Sequence, residues 1–180
     1  MKANIIKTHI KDLLVLETSV FTDERGIFIK TFHNEFFRNE GLQTNFREEY
    51  YSISNKNVLR GMHFQTPPHD HEKLIYCVAG RVLDVIVDLR KKSSTFGQFF
   101  SIELKGADGK IIYIPKGFAH GFCALEDNSF MMYKVSTEYS QKHDKGIKWD
   151  SIGFQWPIQN PILSGRDQSF PALDCLDSPF

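Results

Sequence analysis

Apolar and polar positions along this 180-residue chain alternate in short runs, with little helical spacing. The clearest run is RVLDVIVDLR, residues 81–90. Leu83, Val85, Val87 and Leu89 take one face, and Asp84 and Asp88 take the other, because successive side chains of a strand point to opposite sides. LLVLETSVF, KLIYCVAG, GQFFSIEL, KIIYIP and SFMMYKVS read as further strands, separated by turns rich in Gly, Pro, Asp and Asn. Many short strands at close spacing predict a β-sandwich or barrel. Helix is scarce: HNEFFRNEGL predicts one short helix, stopped by Gly41. From about residue 140 the chain is rich in Pro and Gly but keeps Trp149, Phe154 and Trp156. Those aromatics predict a tail that packs back on the body. No repeat or linker divides the chain, so a single domain over residues 1–180 is expected.

Charge and cysteine usage narrow the function classes. Lys plus Arg and Asp plus Glu number 22 each, so overall charge implies no grip on nucleic acid or an acidic membrane. Cys77, Cys123 and Cys175 are odd in number and far apart. They suggest neither a disulfide framework nor a metal pair, and favour a reducing, cytoplasmic setting. The stretch MKANIIKTHIKDLLVL is broken by charges and does not read as a secretory signal, and no apolar run is long enough to span a membrane.

Two segments carry the candidate chemistry. RGMHFQTPPHDH, residues 60–71, holds Arg60, His63, His69 and His71. GKIIYIPKGFAHGF carries Gly109, Pro115, Gly117 and His120 in an order that resembles the second motif of cupins. His69 and His71 form the H-x-H of a cupin metal site, and with His120 they offer a three-histidine alternative. Against it, Glu72 follows His71 directly, out of place for a ligand, and the cation of Lys73 stands beside it. A lone histidine in a β protein is more often structural than catalytic, so the wider pattern has to decide.

That pattern is DERGIFIKTF, NVLRGMHFQTPP, EKLIYCVAGRVLDVIVDLRKKSSTFGQF, IYIPKGFAHGFCAL, YKVSTEYS and NPILSGRD, in this order from about Asp23 to Asp167. It resembles the dTDP-4-dehydrorhamnose 3,5-epimerase family. The resemblance implies an all-β double-stranded β-helix, a cupin jelly roll with a few short helices, working without metal or other cofactor. It implies a homodimer with exchanged N-terminal strands. The expected substrate is a nucleotide-diphosphate 4-keto-6-deoxysugar, in deoxysugar biosynthesis for surface polysaccharide. By motif, His63 resembles the catalytic base, Asp167 the carboxylate that orients it, Tyr133 the proton donor, and Lys73 and His120 the groups around the sugar carbonyl. Arg25 and Arg60 resemble diphosphate or sugar contacts, and Tyr139 the ring that stacks on the base. Phe28, Glu48, Asp144 and Arg166 are the remaining substrate contacts that the resemblance implies.

Those residue types suit the reaction. A C–H beside a ketone is acidic because its anion spreads onto the carbonyl oxygen. Inversion needs a base on one face and an acid on the other. Histidine titrates near neutrality, a carboxylate can fix its tautomer, and a lysine can meet the enolate oxygen. The chain departs from the family pattern at several points. His71 stands where the family commonly has Gln, Lys30 replaces a Glu, and Glu48-Glu49-Tyr50 replaces Q-x-N. Asp144 stands in place of Glu, and Arg166 in place of Lys. These changes leave open a CDP- or GDP-linked 4-ketosugar, and inversion at C3 or C5 alone.

Overall fold

The computed structural model describes residues 2–180. Among them, thirteen strands carry the fold: β1 (Ala3–Lys7), β2 (Leu14–Thr18), β3 (Val20–Asp23), β4 (Gly26–Ile29), β5 (Glu48–Ser54), β6 (Leu59–Gln65), β7 (Lys73–Ala79), β8 (Arg81–Asp88), β9 (Phe99–Lys105), β10 (Lys110–Ile114), β11 (Phe118–Ala124), β12 (Ser129–Val135) and β13 (Asp144–Gly146). One sheet runs β1-β2-β10-β7-β12-β5 and a second runs β13-β6-β11-β8-β9, while β3 and β4 form a hairpin apart from both. The LLVLETSVF run is therefore two strands, broken at Ser19 as the chain leaves the sheet for that hairpin.

The two large sheets face each other as the walls of a jelly roll. Ile75, Ile112, Ile114 and Met131 from one sheet meet Val82, Ile86, Leu104 and Phe122 from the other in one buried cluster. Both faces of β8 are covered. Val82, Asp84, Ile86 and Asp88 point inward. Val85, Val87 and Leu89 pack outward beneath Ile152, Phe154, Trp156, Leu176 and Phe180. The C-terminal tail thus lies over the outer face of the second sheet.

The short helix α1 (Asn34–Asn39) covers the outer face of the first sheet. Gly41 ends it at φ +69°, with the Gly41 N–H donating to Arg38 O and the Leu42 N–H to Phe37 O. That double return bond is a Schellman stop, which favours glycine at the left-handed position. Phe37 on this helix is fully buried, a burial worth roughly 1.5–3 kcal/mol.

Candidate active site

The open end of the jelly roll encloses a cavity of about 410 Å³. Its wall is built from both sheets. On β5 the period of two brings Glu48, Tyr50 and Ser52 to the cavity. On β6 the same period would set Arg60 and His63, three residues apart, on opposite faces. Both nevertheless line the cavity. The register between β11 and β6 slips, with His120 opposite His63 but Phe122 opposite Arg60. Gly61 and Met62 of β6 there face the single Gly121 of β11, and the bulge turns both side chains the same way.

Two histidine–carboxylate pairs sit side by side across this β6–β11 contact. His63 Nε2 lies 2.7 Å from Asp167 Oδ1, and Asp167 Oδ2 accepts the Gly61 N–H at 3.2 Å. Asp167 is delivered by a four-residue helical turn, α2 (Gly165–Gln168), whose preceding Ser164 accepts the Asp167 N–H. This single turn at the end of a long loop is what places the carboxylate. Burial opposes its charge, but the hydrogen bonds from His63, Gly61 and Ser164 hold its pKa below the usual range. An ionised carboxylate only accepts, so His63 carries its proton on Nε2 and keeps its lone pair on Nδ1. Desolvation pulls the His63 pKa below 6.5, with the Asp167 hydrogen bond pulling the other way. The second pair is His120 Nε2 and Asp84 Oδ2 at 2.8 Å, with Asp84 Oδ1 buried and unpartnered.

The opposite wall supplies Lys73 and Tyr133 from the neighbouring strands β7 and β12. Lys73 Nζ donates to the His63 carbonyl oxygen at 3.3 Å. Burial pulls its pKa down to about 8, partly offset by the charges of Asp144 and Asp84. The Tyr133 hydroxyl lies 3.2 Å from Ser52 Oγ, and its ring stacks on Tyr50 at 4.8 Å between centroids. Burial raises the Tyr133 pKa well above that of a free phenol, so the group stays protonated at neutral pH. Burial also lifts Tyr50 to about 12.

The mouth is polar. Arg60 Nε donates to Ser54 Oγ at 3.0 Å. Arg166 donates to Asp144 Oδ1 at 2.9 Å, and the Tyr139 N–H donates to Glu48 Oε1 at 2.9 Å. Tyr139 itself stands at the rim, 60 % exposed. Two of the departures from the family pattern, Asp144 and Arg166, are therefore partners. The acid is one methylene shorter than Glu, and the base reaches further than Lys.

Ten of the twelve site residues expected from sequence converge here. His63, Lys73, Tyr133, Glu48, Arg60, His120, Tyr139, Asp144 and Arg166 line the cavity, and Asp167 stands behind His63. Arg25 and Phe28 do not join them. They lie on the β3–β4 hairpin, where Arg25 pairs with Asp23 at 2.5 Å and Phe28 is 60 % exposed. The sequence put them at the site by motif order, but among the described residues the hairpin pairs with no strand of either large sheet.

The three-histidine metal alternative also comes apart. His69 stacks on His143 at 4.4 Å, His71 Nδ1 is 3.2 Å from both Gln65 and Thr137, and His120 is held by Asp84. No group of three candidate metal ligands forms among the described residues. Ser52 and Gln65 are cavity residues that sequence reasoning did not name, and Tyr50, noted there only as a departure from the family pattern, lines the cavity with them. The period of two running from Glu48 would have found Tyr50 and Ser52, whereas nothing local marks Gln65.

This arrangement matches known proteins over nearly its whole length. The profile of the family described as dTDP-4-dehydrorhamnose 3,5-epimerase matches residues 7–174. The chain belongs to this family. It is an isomerase, an epimerase acting on a carbohydrate. The enzyme of that name from Shigella flexneri is 44% identical over 167 residues, covering 91% of this chain and 92% of the relative. A Legionella pneumophila dTDP-6-deoxy-D-glucose-3,5-epimerase, solved with dTDP-4-keto-L-rhamnose, superposes at a TM-score of 0.93 with 34% identity, over 98% of this chain and 95% of that one. A 3'-monoepimerase from Streptomyces bikiniensis, solved with dTDP-quinovose, superposes at 0.88 with 28% identity, over 93% and 86%. Family membership accounts for the jelly roll. No helix of the described residues is long and apolar enough to cross a membrane.

Proposed function

We propose that this chain inverts the carbons flanking the ketone of a dTDP-linked 4-keto-6-deoxyhexose, without a cofactor. The observation that carries the reading is the position of His63 and Tyr133 on facing walls of one cavity, with Asp167 behind the first and the Lys73 ammonium against the His63 carbonyl. His63 Nδ1 removes the proton next to the ketone. Asp167 steadies the imidazolium that results. The enolate oxygen takes a hydrogen bond from Lys73, whose charge is worth more in a buried site than in water. Tyr133 returns a proton to the opposite face. Its hydroxyl hydrogen goes to carbon, and exchange with solvent resets both groups. Arg60 and Arg166 supply positive charge for the diphosphate at the mouth, and the exposed ring of Tyr139 offers a surface for the nucleobase.

The experiment is NMR of the 4-ketosugar in deuterated water. Deuterium should enter at both C3 and C5 of the dTDP substrate. Entry at one carbon alone would reduce the reading to a monoepimerase, and no exchange with dTDP, CDP or GDP forms would sink it. The pH profile adds a second check. The base works as neutral imidazole, and its pKa is lowered below 6.5, so its form is lost only on the acid side. The lysine works as a cation and loses its proton as pH rises through about 8. The exchange rate is therefore expected to be flat near neutrality and to fall roughly tenfold per pH unit above that point. The fall should vanish, on a lower plateau, in Lys73→Gln. A wild-type rate still rising at about two units above neutrality would contradict this assignment of Lys73.

The enzyme is proposed to act as a homodimer in the cytoplasm. The β3–β4 hairpin exposes Phe21 and Phe28, cross-strand partners on one of its faces. A two-stranded hairpin is marginal alone in water. Lying on a second copy would bury that face and carry Arg25 and Phe28 to the partner's cavity. Sedimentation should then give a dimer, and Arg25→Ala should raise KM severalfold with kcat little changed. A monomer of full activity would refute the exchange. The three cysteines are free thiols, which fits a reducing compartment.

A further inference from the structure

His71 lines the cavity two residues before Lys73, and its Nε2 is buried without a hydrogen-bond partner among the described residues. Its other nitrogen is held firmly. Gln65 Oε1 accepts the Ser140 N–H at 2.6 Å, which identifies the amino end of that amide. The two Gln65 amino hydrogens are met by the carbonyls of His69 at 2.9 Å and Glu138 at 3.2 Å. The Thr137 hydroxyl spends its one hydrogen on the His69 carbonyl at 2.8 Å, and so remains free to accept. His71 Nδ1 lies 3.2 Å from that hydroxyl oxygen. The Gln65 amino nitrogen also lies 3.2 Å from His71 Nδ1 and 3.4 Å from Thr137 Oγ1; with its two hydrogens assigned to the carbonyls, the His71 proton is assigned to Nδ1, donated to Thr137, and a lone pair is left on Nε2. Burial, reinforced by the charges of Lys73 and Lys116, pulls the His71 pKa down to about 3, so the ring remains neutral. A neutral imidazole so held is unsuited to carrying protons. It offers a fixed acceptor beside a lysine donor.

We propose that His71 Nε2 accepts a hydrogen bond from a ring hydroxyl of the sugar and so reads the hydroxyl pattern beside the ketone that Lys73 meets. An α-hydroxy ketone presents an acceptor and a donor on neighbouring carbons, which complements a lysine next to a neutral histidine acceptor. A buried acceptor left unmet is costly, so such a site discriminates against a sugar lacking the hydroxyl. His71 is on this view a substrate-recognition residue, distinct from the acid–base groups. The inference rests on the epimerase reading of the cavity.

The test compares exchange at C5 for the full 4-ketosugar and its 2-deoxy and 3-deoxy analogues, with unmodified enzyme, His71→Leu and His71→Gln. Unmodified enzyme should prefer the full sugar over one of the two analogues by about tenfold in kcat/KM. His71→Leu should lose about tenfold on the full sugar, mainly in KM, and nothing further on that analogue. His71→Gln, which keeps an acceptor, should retain most of the preference. Equal loss on all three sugars in His71→Leu would make the residue a packing element and overturn the proposal. Equal kcat/KM on all three sugars by unmodified enzyme would overturn it too, whether or not the Leu variant folds. Absence of exchange by unmodified enzyme on the full sugar would instead overturn the epimerase reading itself.

Discussion

His63→Ala is expected to lower deuterium exchange at both carbons by about 10³-fold or more, since a positioned base contributes on the order of 10²–10⁴. The fold should survive. The His63 side chain stands at the cavity wall, is partly exposed, and among the described residues has only Asp167 as a side-chain hydrogen-bond partner. Asp167→Asn tests the same pair from behind. An amide there donates through its nitrogen, and the geometry around Gly61 N–H keeps an oxygen on that side. The amino end would then face His63 Nε2 and draw the lone pair to it, moving the proton to Nδ1. The base would be blocked with its ring still in place. The expected loss is again of order 10²–10⁴, with circular dichroism and thermal unfolding close to those of the unmodified protein. Retention of a tenth or more of the rate in both variants would remove His63 from the chemistry.

Tyr133→Phe separates the two halves of the reaction. The base and the enolate contacts remain, so proton abstraction continues and deuterium still washes into the substrate. Delivery to the other face is lost, because the replacement removes the hydroxyl paired with Ser52 and leaves the ring stacked on Tyr50. Inversion should fall by about 10²–10³ while exchange with retention falls far less. NMR distinguishes the two outcomes from coupling constants. Equal loss of exchange and inversion would mean that Tyr133 is needed for abstraction as well, and that the acid comes from elsewhere.

Much of this was legible in the sequence because strand periodicity and motif order are local properties. The alternation in residues 81–90 identified β8 correctly. Periodicity could not say which face of β8 looks into the jelly roll. Asp84 and Asp88 point inward, and Val85, Val87 and Leu89 lie beneath the tail. A charged inner face runs against simple amphipathic logic, and it is stable because each carboxylate meets a partner. Asp84 meets His120, and Asp88 meets Arg90, Ser93 and Thr95. Such partners lie dozens of residues away or in a turn, where no period reports them.

By itself, then, the sequence determined the strand-rich class, the helix stop at Gly41 and the residue types needed for proton transfer beside a ketone. Tertiary structure alone decided how they combine. The β6 bulge turned Arg60 and His63 to the same side. A single turn capped by Ser164 carried Asp167 to His63 across 104 positions of chain. Asp144 and Arg166, two separate oddities in the sequence, became one ion pair. His69, His71 and His120, which spacing alone grouped as ligands, were drawn to three different partners. The reason is the range of the forces. Backbone periodicity acts over a few residues, whereas burial and hydrogen-bond satisfaction choose among groups that meet only when both sheets have closed.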